Sequence, residues 1–193
     1  MKKIQVLRIG IFVAAIGLIT AGAIAGLQWK EQHDFIKDSA LYEDTTHGFT
    51  LRYPNTWVLL SEKDLAYRNE QFVFGVNITS EPSTAVGVIV KDRANQESLD
   101  ATSIMDSIEK KLSATYTDFK KISSKKVRHD AYQEFDIEYT YKRSEKVLVH
   151  QRQRIFITTA KIFIISGSAL VVDYSHRQKD IRHILKSFQL AEK

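Results

Sequence analysis

In "YQEFDIEYTYK" (132–142) the apolar residues Phe135, Ile137 and Tyr139 alternate with Glu134, Asp136 and Glu138. A repeat of two is what a half-buried β-strand needs, because successive side chains leave it on opposite sides. Residues 119–128, 147–158 and 161–168 read as strands too, and the links at His129-Asp130, Arg143-Ser144-Glu145 and Thr159-Ala160 are very short. Short links force antiparallel neighbours. Upstream, "FVFGVNIT" (72–79) and "AVGVIVKD" (85–92) form another such pair around Glu81-Pro82-Ser83, and "HGFTLRYPNTW" (47–57) reads as strand, turn, strand. Within that stretch Phe49, Leu51 and Tyr53 share one side, Pro54 ends the pairing, and Trp57 belongs to the core.

The period changes to the helical one in two places. Between Ser98, the expected N-cap, and Tyr116, the residues Met105, Ile108 and Leu112 share a face. From about Ser175 onward Ile181, Ile184, Leu185 and Phe188 form a second stripe. The expected fold is α+β: a mostly antiparallel sheet with two helices packed on it, preceded by one N-terminal transmembrane helix.

That last element comes from the 21 residues Ile9–Trp29, none of them charged. At about 1.5 Å per residue they cover roughly 30 Å, the thickness of a bilayer core. Lys2, Lys3 and Arg8 precede them, whereas Lys30 is followed by Glu31 and Asp34, which places the amino terminus in the cytoplasm and the rest outside. Ala23-Ile24-Ala25 also matches a signal-peptidase pattern, so release after cleavage near Ala25 is the alternative to a single-pass anchor in the cell membrane. The expected organisation is an anchor or signal over 1–29, a tether over 30–41 and a globular domain over 42–193.

Removing the three leading cations from the 28 Lys and Arg leaves 25 against 23 acidic residues. A nearly neutral body gives no electrostatic footprint for nucleic acid. The chain has no cysteine, which excludes disulfides, thiolate catalysis, Cys-zinc sites and lipid attachment through cysteine.

Catalytic signatures are missing as well. His176 and His183 stand seven apart without a third metal ligand, and read as a solvated helix face; His150 and His47 are isolated. Asp136 and Glu138 point to one sheet face, where lysines of strand 119–128 are expected to meet them. No cofactor or metal is therefore expected. The one surface feature with functional promise is a basic cluster: Lys120, Lys121, Lys125, Lys126 and Arg128, with Lys142, Arg143, Lys146, Arg152 and Arg154. If these strands present it on one side, it makes a positive patch for anionic lipid, envelope polymer or an acidic protein.

Gly48, Phe49, Tyr53, Pro54 and Trp57 near the start, and Ser187 and Phe188 near the end, carry a resemblance to the PsbP-like family over about residues 42–190. It implies an α-β-α sandwich around an antiparallel sheet, and a non-enzymatic docking or accessory role like those of a photosystem II extrinsic subunit and a Ran-binding protein. No metal-binding residues carry over. The expected function is a membrane-anchored, extracytoplasmic, non-catalytic domain that docks a protein partner or envelope component. A cell-envelope hydrolase with a site scattered over several strands, or a small-ligand carrier, is the alternative.

Overall fold

The computed structural model describes Lys30 and residues 33–68, 71–93 and 101–191. The expected anchor, the cleavage pattern near Ala25 and the Ser98 cap lie outside the described residues. Among the described residues no helix is long and apolar enough to cross a membrane. The chain divides into two compact units, Met1–Ser39 and Ala40–Lys193. In the first, residues 33–37 are helical. The elements below build the second.

In chain order they are β1 (Ser39–Asp44), β2 (Phe49–Pro54), β3 (Val58–Leu59), α1 (Glu62–Arg68), β4 (Phe72–Ile78), β5 (Glu81–Asp92), α2 (Ala101–Thr115), β6 (Thr117–Arg128), β7 (Gln133–Ser144), β8 (Val147–Ile157), β9 (Lys161–Leu170), α3 (Val171–Ser187) and β10 (Gln189–Leu190). Seven strands form one antiparallel sheet in the order β3-β4-β5-β9-β8-β7-β6, and β1-β2-β10 form a second. The α+β expectation holds: the fold is dominated by antiparallel sheet.

Several details depart from the reading of the sequence. The segment expected as a tether already enters β1 at Ser39. "HGFTLRYPNTW" is strand, turn, strand as expected, but the turn, closed by the Trp57 N–H donating to the Pro54 carbonyl (2.9 Å), sends β2 into one sheet and β3 into the other. Helix α1, only seven residues long, is too short to show a helical period; at its start the Ser61 hydroxyl accepts from the Asp64 N–H, as an N-cap does, and donates to the Asp64 carboxylate. Helix α3 begins at Val171, directly after β9, with no loop between. His183, expected on a solvated face, is 9% exposed, whereas His176 is exposed.

The two distinctive ends of the chain meet. β10 pairs with β2 in the register Gln189↔Thr50 and Leu190↔Phe49. The Ser187 hydroxyl accepts from the Arg52 N–H (2.8 Å), and its one proton lies between the carbonyls of Ile184 (2.8 Å) and Arg52 (3.1 Å), so a side chain extends the ladder one step past the strand. Phe49, fully buried, stacks on Phe188 at 5.3 Å and meets Phe163 of the large sheet edge-on. Trp57 is buried, as expected.

The large sheet thus has a front face, covered by α3 and the small sheet, and a back face carrying α1 and α2. On the front, Gly167 lets α3 approach: a Cβ there would meet Ile181 and Leu185. On the back, Ile104 and Met105 of α2 pack on Phe135, Ile137, Tyr139 and Tyr141. The α1 side packs through Leu65 and Leu60 over Gly75.

Candidate functional site

Alternation decides where every polar side chain of β7 and β8 goes. Glu134, Asp136 and Glu138 point to the front, as do His150, Arg152 and Arg154. Each carboxylate bonds the base two positions along from its register partner: Asp136 stands opposite Arg154 but accepts from Arg152 through both oxygens (2.9 and 2.5 Å). Glu134 likewise takes Arg154 (2.6 Å), and Glu138 pairs with His150 (2.8 Å). Tyr174 of α3 closes the array, donating to Glu138 and stacking on His150 at 3.4 Å. Burial, then the Glu138 carboxylate, pushes the Tyr174 phenol above its ordinary value. Arg154 also donates to the last-turn carbonyl of Leu185 (2.6 Å). The front face is a closed ionic seam that fastens α3 to the sheet.

This arrangement corrects the expected basic patch. Cross-strand register puts Lys120 and Lys125 on the front, opposite Thr140 and Asp136, and Lys121, Lys126 and Arg128 on the back, opposite Tyr139, Phe135 and Gln133. Lys121 pairs with Glu109 of α2 and Lys142 with Asp118, while Lys146 is exposed in the β7–β8 turn. Arg152 and Arg154 are spent in the seam. The carboxylates of β7 are met by β8 arginines and His150, not by the β6 lysines. Strand β6 is the free edge of the sheet, and a lysine-rich edge discourages pairing with other chains.

The back face is different. Between α1 and the end of α2 the sheet is left bare as a cleft of about 420 Å³. Its floor is Gly75, Gly87, Gln151, Gln153, Ser166 and Ser168, with Leu60, Leu65 and Phe72 on one wall, Tyr116 and Tyr141 on the other, and Arg143 at the rim. It shares Leu60, Ala85, Arg143 and Ser168 with a neighbouring cavity of about 620 Å³ that reaches Pro82 and Ser83. Gln153 donates to the Ser166 hydroxyl (2.8 Å). Gln151 is equally buried, at 8% exposed, and its amide has no hydrogen bond among the described residues. Burial raises the Tyr116 phenol, the Tyr141 phenol adding to this and the Arg143 guanidinium opposing it, so the Tyr116 ring stays a neutral donor at physiological pH. Gln151 and Gln153 were legible as an anomaly: they occupy the same alternation phase as Val149, Ile155 and Ile157, where the strand is otherwise apolar.

Three histidine–carboxylate contacts among the described residues bear on a hydrolytic reading, and none lies in the cleft. His129 meets Glu134 at 3.4 Å, but that carboxylate is already held by Arg154. His150–Glu138 is covered by Tyr174. His47 bonds Asp44 through Nδ1 (2.8 Å), beside a shallow cavity of about 470 Å³, but Asp44 also accepts the His47 N–H, and Gly48 N–H reaches the Asp44 carbonyl. That is the buckle of the β1–β2 turn, with Gly48 at φ +78°. Among the described residues no hydroxyl bonds the free Nε2 of His47, and no group of three or more His, Asp or Glu could hold a metal ion.

The PsbP family model matches residues 37–190, from just before β1 to the end of β10. The chain belongs to the PsbP family. No curated protein matches it. Among solved structures it is similar to the cyanobacterial PsbP (CyanoP) of Synechocystis sp. PCC 6803, with a TM-score of 0.62 at 17% identity over 79% of this chain and 92% of that one. LpqN, involved in cell envelope biogenesis of Mycobacterium tuberculosis, follows at 0.59 and 12% identity, covering 80% and 91%. The Saccharomyces cerevisiae Ran-binding protein Mog1p gives 0.51 at 9% identity over 80% and 96%. At these identities the likeness is one of fold.

Proposed function

We propose that this PsbP-family protein is a non-catalytic docking domain, held on the outer side of the cell membrane by the apolar segment Ile9–Trp29, and that it receives a partner in the back-face cleft. The observation that carries the docking face is Gln151. Its side chain is largely covered, yet its amide atoms stay accessible from the cleft and make no bond within the fold among the described residues, and an amide that the fold does not use is available to a ligand. The uncharged 21-residue segment and its flanking charges support the tether. LpqN's involvement in envelope biogenesis and Mog1p's binding of Ran support a binding role on this scaffold.

Crosslinking in intact membranes tests the docking face. Replacing Ser168, which lines both cavities, by Phe fills the floor without touching the front seam. The variant is expected to lose the partner captured by the wild type while keeping its circular dichroism. An unchanged partner set would move docking away from the cleft. For the tether, an alkaline phosphatase reporter fused after residue 41 is expected to be active and to resist carbonate extraction; an inactive fusion would reverse the orientation.

A further inference from the structure

We propose that the occupant of the cleft is the carboxyl-terminal end of a peptide chain; this rests on the reading of the cleft as the docking face. Three groups define the ligand. Gln151 offers a C=O and an NH₂ side by side, the complement of a backbone amide, which also presents one acceptor and one donor. Leu65 and Phe72 offer an apolar wall for a side chain. Arg143 makes no ion pair or hydrogen bond among the described residues, and it is the cleft's sole charged lining residue, so it supplies a planar fork for a carboxylate.

Their spacing sets the length of the ligand. Gln151 stands opposite Tyr139 in the β7–β8 register, and Arg143 lies four residues further along β7. At about 3.3 Å per residue their backbones are roughly 13 Å apart along the strands, a span that the reach of the arginine side chain shortens to two or three peptide units. Gly87, on β5, keeps the floor low between the two glutamines and the Phe72 wall: a Cβ there would press on the Phe72 ring. A neutral sugar leaves Arg143 without a function, and a bare small anion leaves Gln151 and the apolar wall without one. An acylated peptide end engages all three.

The test uses the full-length protein in detergent, titrated with N-acetyl dipeptides ending in leucine, phenylalanine or alanine, each as the free acid and as the carboxyl amide. Chemical-shift perturbation gives the affinities. At least one free acid is expected to bind ten-fold or more tightly than its amide. Arg143→Gln should abolish that discrimination while keeping the weaker binding of the amide, and Gln151→Leu should weaken acid and amide alike. Equal binding of acid and amide, or discrimination that survives Arg143→Gln, overturns the proposal. So does D-galacturonic acid binding with Arg143 dependence where no dipeptide binds. If no dipeptide binds yet Ser168→Phe still abolishes crosslinking to the partner, the peptide-end assignment falls and the docking face stands.

Discussion

The front and back faces of the large sheet are built from the same strands and solve opposite problems. On the front the charged side chains of β7 and β8 all have partners. Glu134, Asp136 and Glu138 are matched to Arg154, Arg152 and His150, and aromatic rings from β2, β8, β9 and the residue after α3 close the remainder. On the back, α1 and α2 stand apart, and Gln151 lies on bare sheet with an unused amide. Buried ion pairs contribute little net stability, but removing one partner leaves an uncompensated charge, so the front seam tolerates only one placement of α3. The back face makes no such demand, and a surface that the fold does not need is one that a ligand can use.

The contrast can be broken most severely at Phe49. Truncation to Ala empties the centre of the front cluster and should lower stability by about 3–5 kcal/mol in denaturant titration. A loss under 1 kcal/mol would mean that the two chain ends are not held by this ring. A paired glycine experiment sharpens the comparison with a smaller effect. Gly167→Ala drives a methyl into Ile181 and Leu185 of α3, a packed helix, and should cost about 1–3 kcal/mol. Gly87→Ala presses on the Phe72 ring, which can rotate into the cleft, and makes only ordinary contact with the Phe74 carbonyl, so stability should fall less than in Gly167→Ala while partner capture weakens. Equal losses of stability would make the back face as tightly packed as the front.

The smallest effect concerns acid. Arg177 of α3 pairs with Glu81 at the start of β5 and, through that hydrogen bond foremost, holds the Glu81 carboxyl below its ordinary value of 4.5. A carboxylate depressed in the folded state adds stability that is complete above the unfolded pKa and is lost as pH falls through the folded one. Wild-type stability should therefore decline more steeply below about pH 4.5 than that of Arg177→Gln, with the two curves running parallel at neutral pH. Parallel curves throughout the acid range would remove this front-face tie from the account.

Much of this architecture is legible in the order of the amino acids. Alternation in "YQEFDIEYTYK" and its neighbours settled strand identity, and short links settled antiparallel pairing, because both are local consequences of backbone geometry. The end segments with Phe49, Trp57, Ser187 and Phe188 pointed to the family for the same reason that they are buried: they form the clasp that closes the front face. The basic cluster misled because ten cations close in sequence say nothing about face. A one-residue step flips a side chain through the sheet, and only cross-strand register reveals that Arg152 meets Asp136 while Lys126 looks the other way over Phe135. The cleft lay deeper still. Alternation alone marks Gln151 as polar on an apolar phase, but whether that phase is covered depends on where α1 and α2 come to rest, which is a balance of long-range packing. The sequence by itself determined the longer strands, the antiparallel pairing of neighbours and the two distinctive end segments. Tertiary structure alone decided which polar groups are consumed by the fold and which one is left for a ligand.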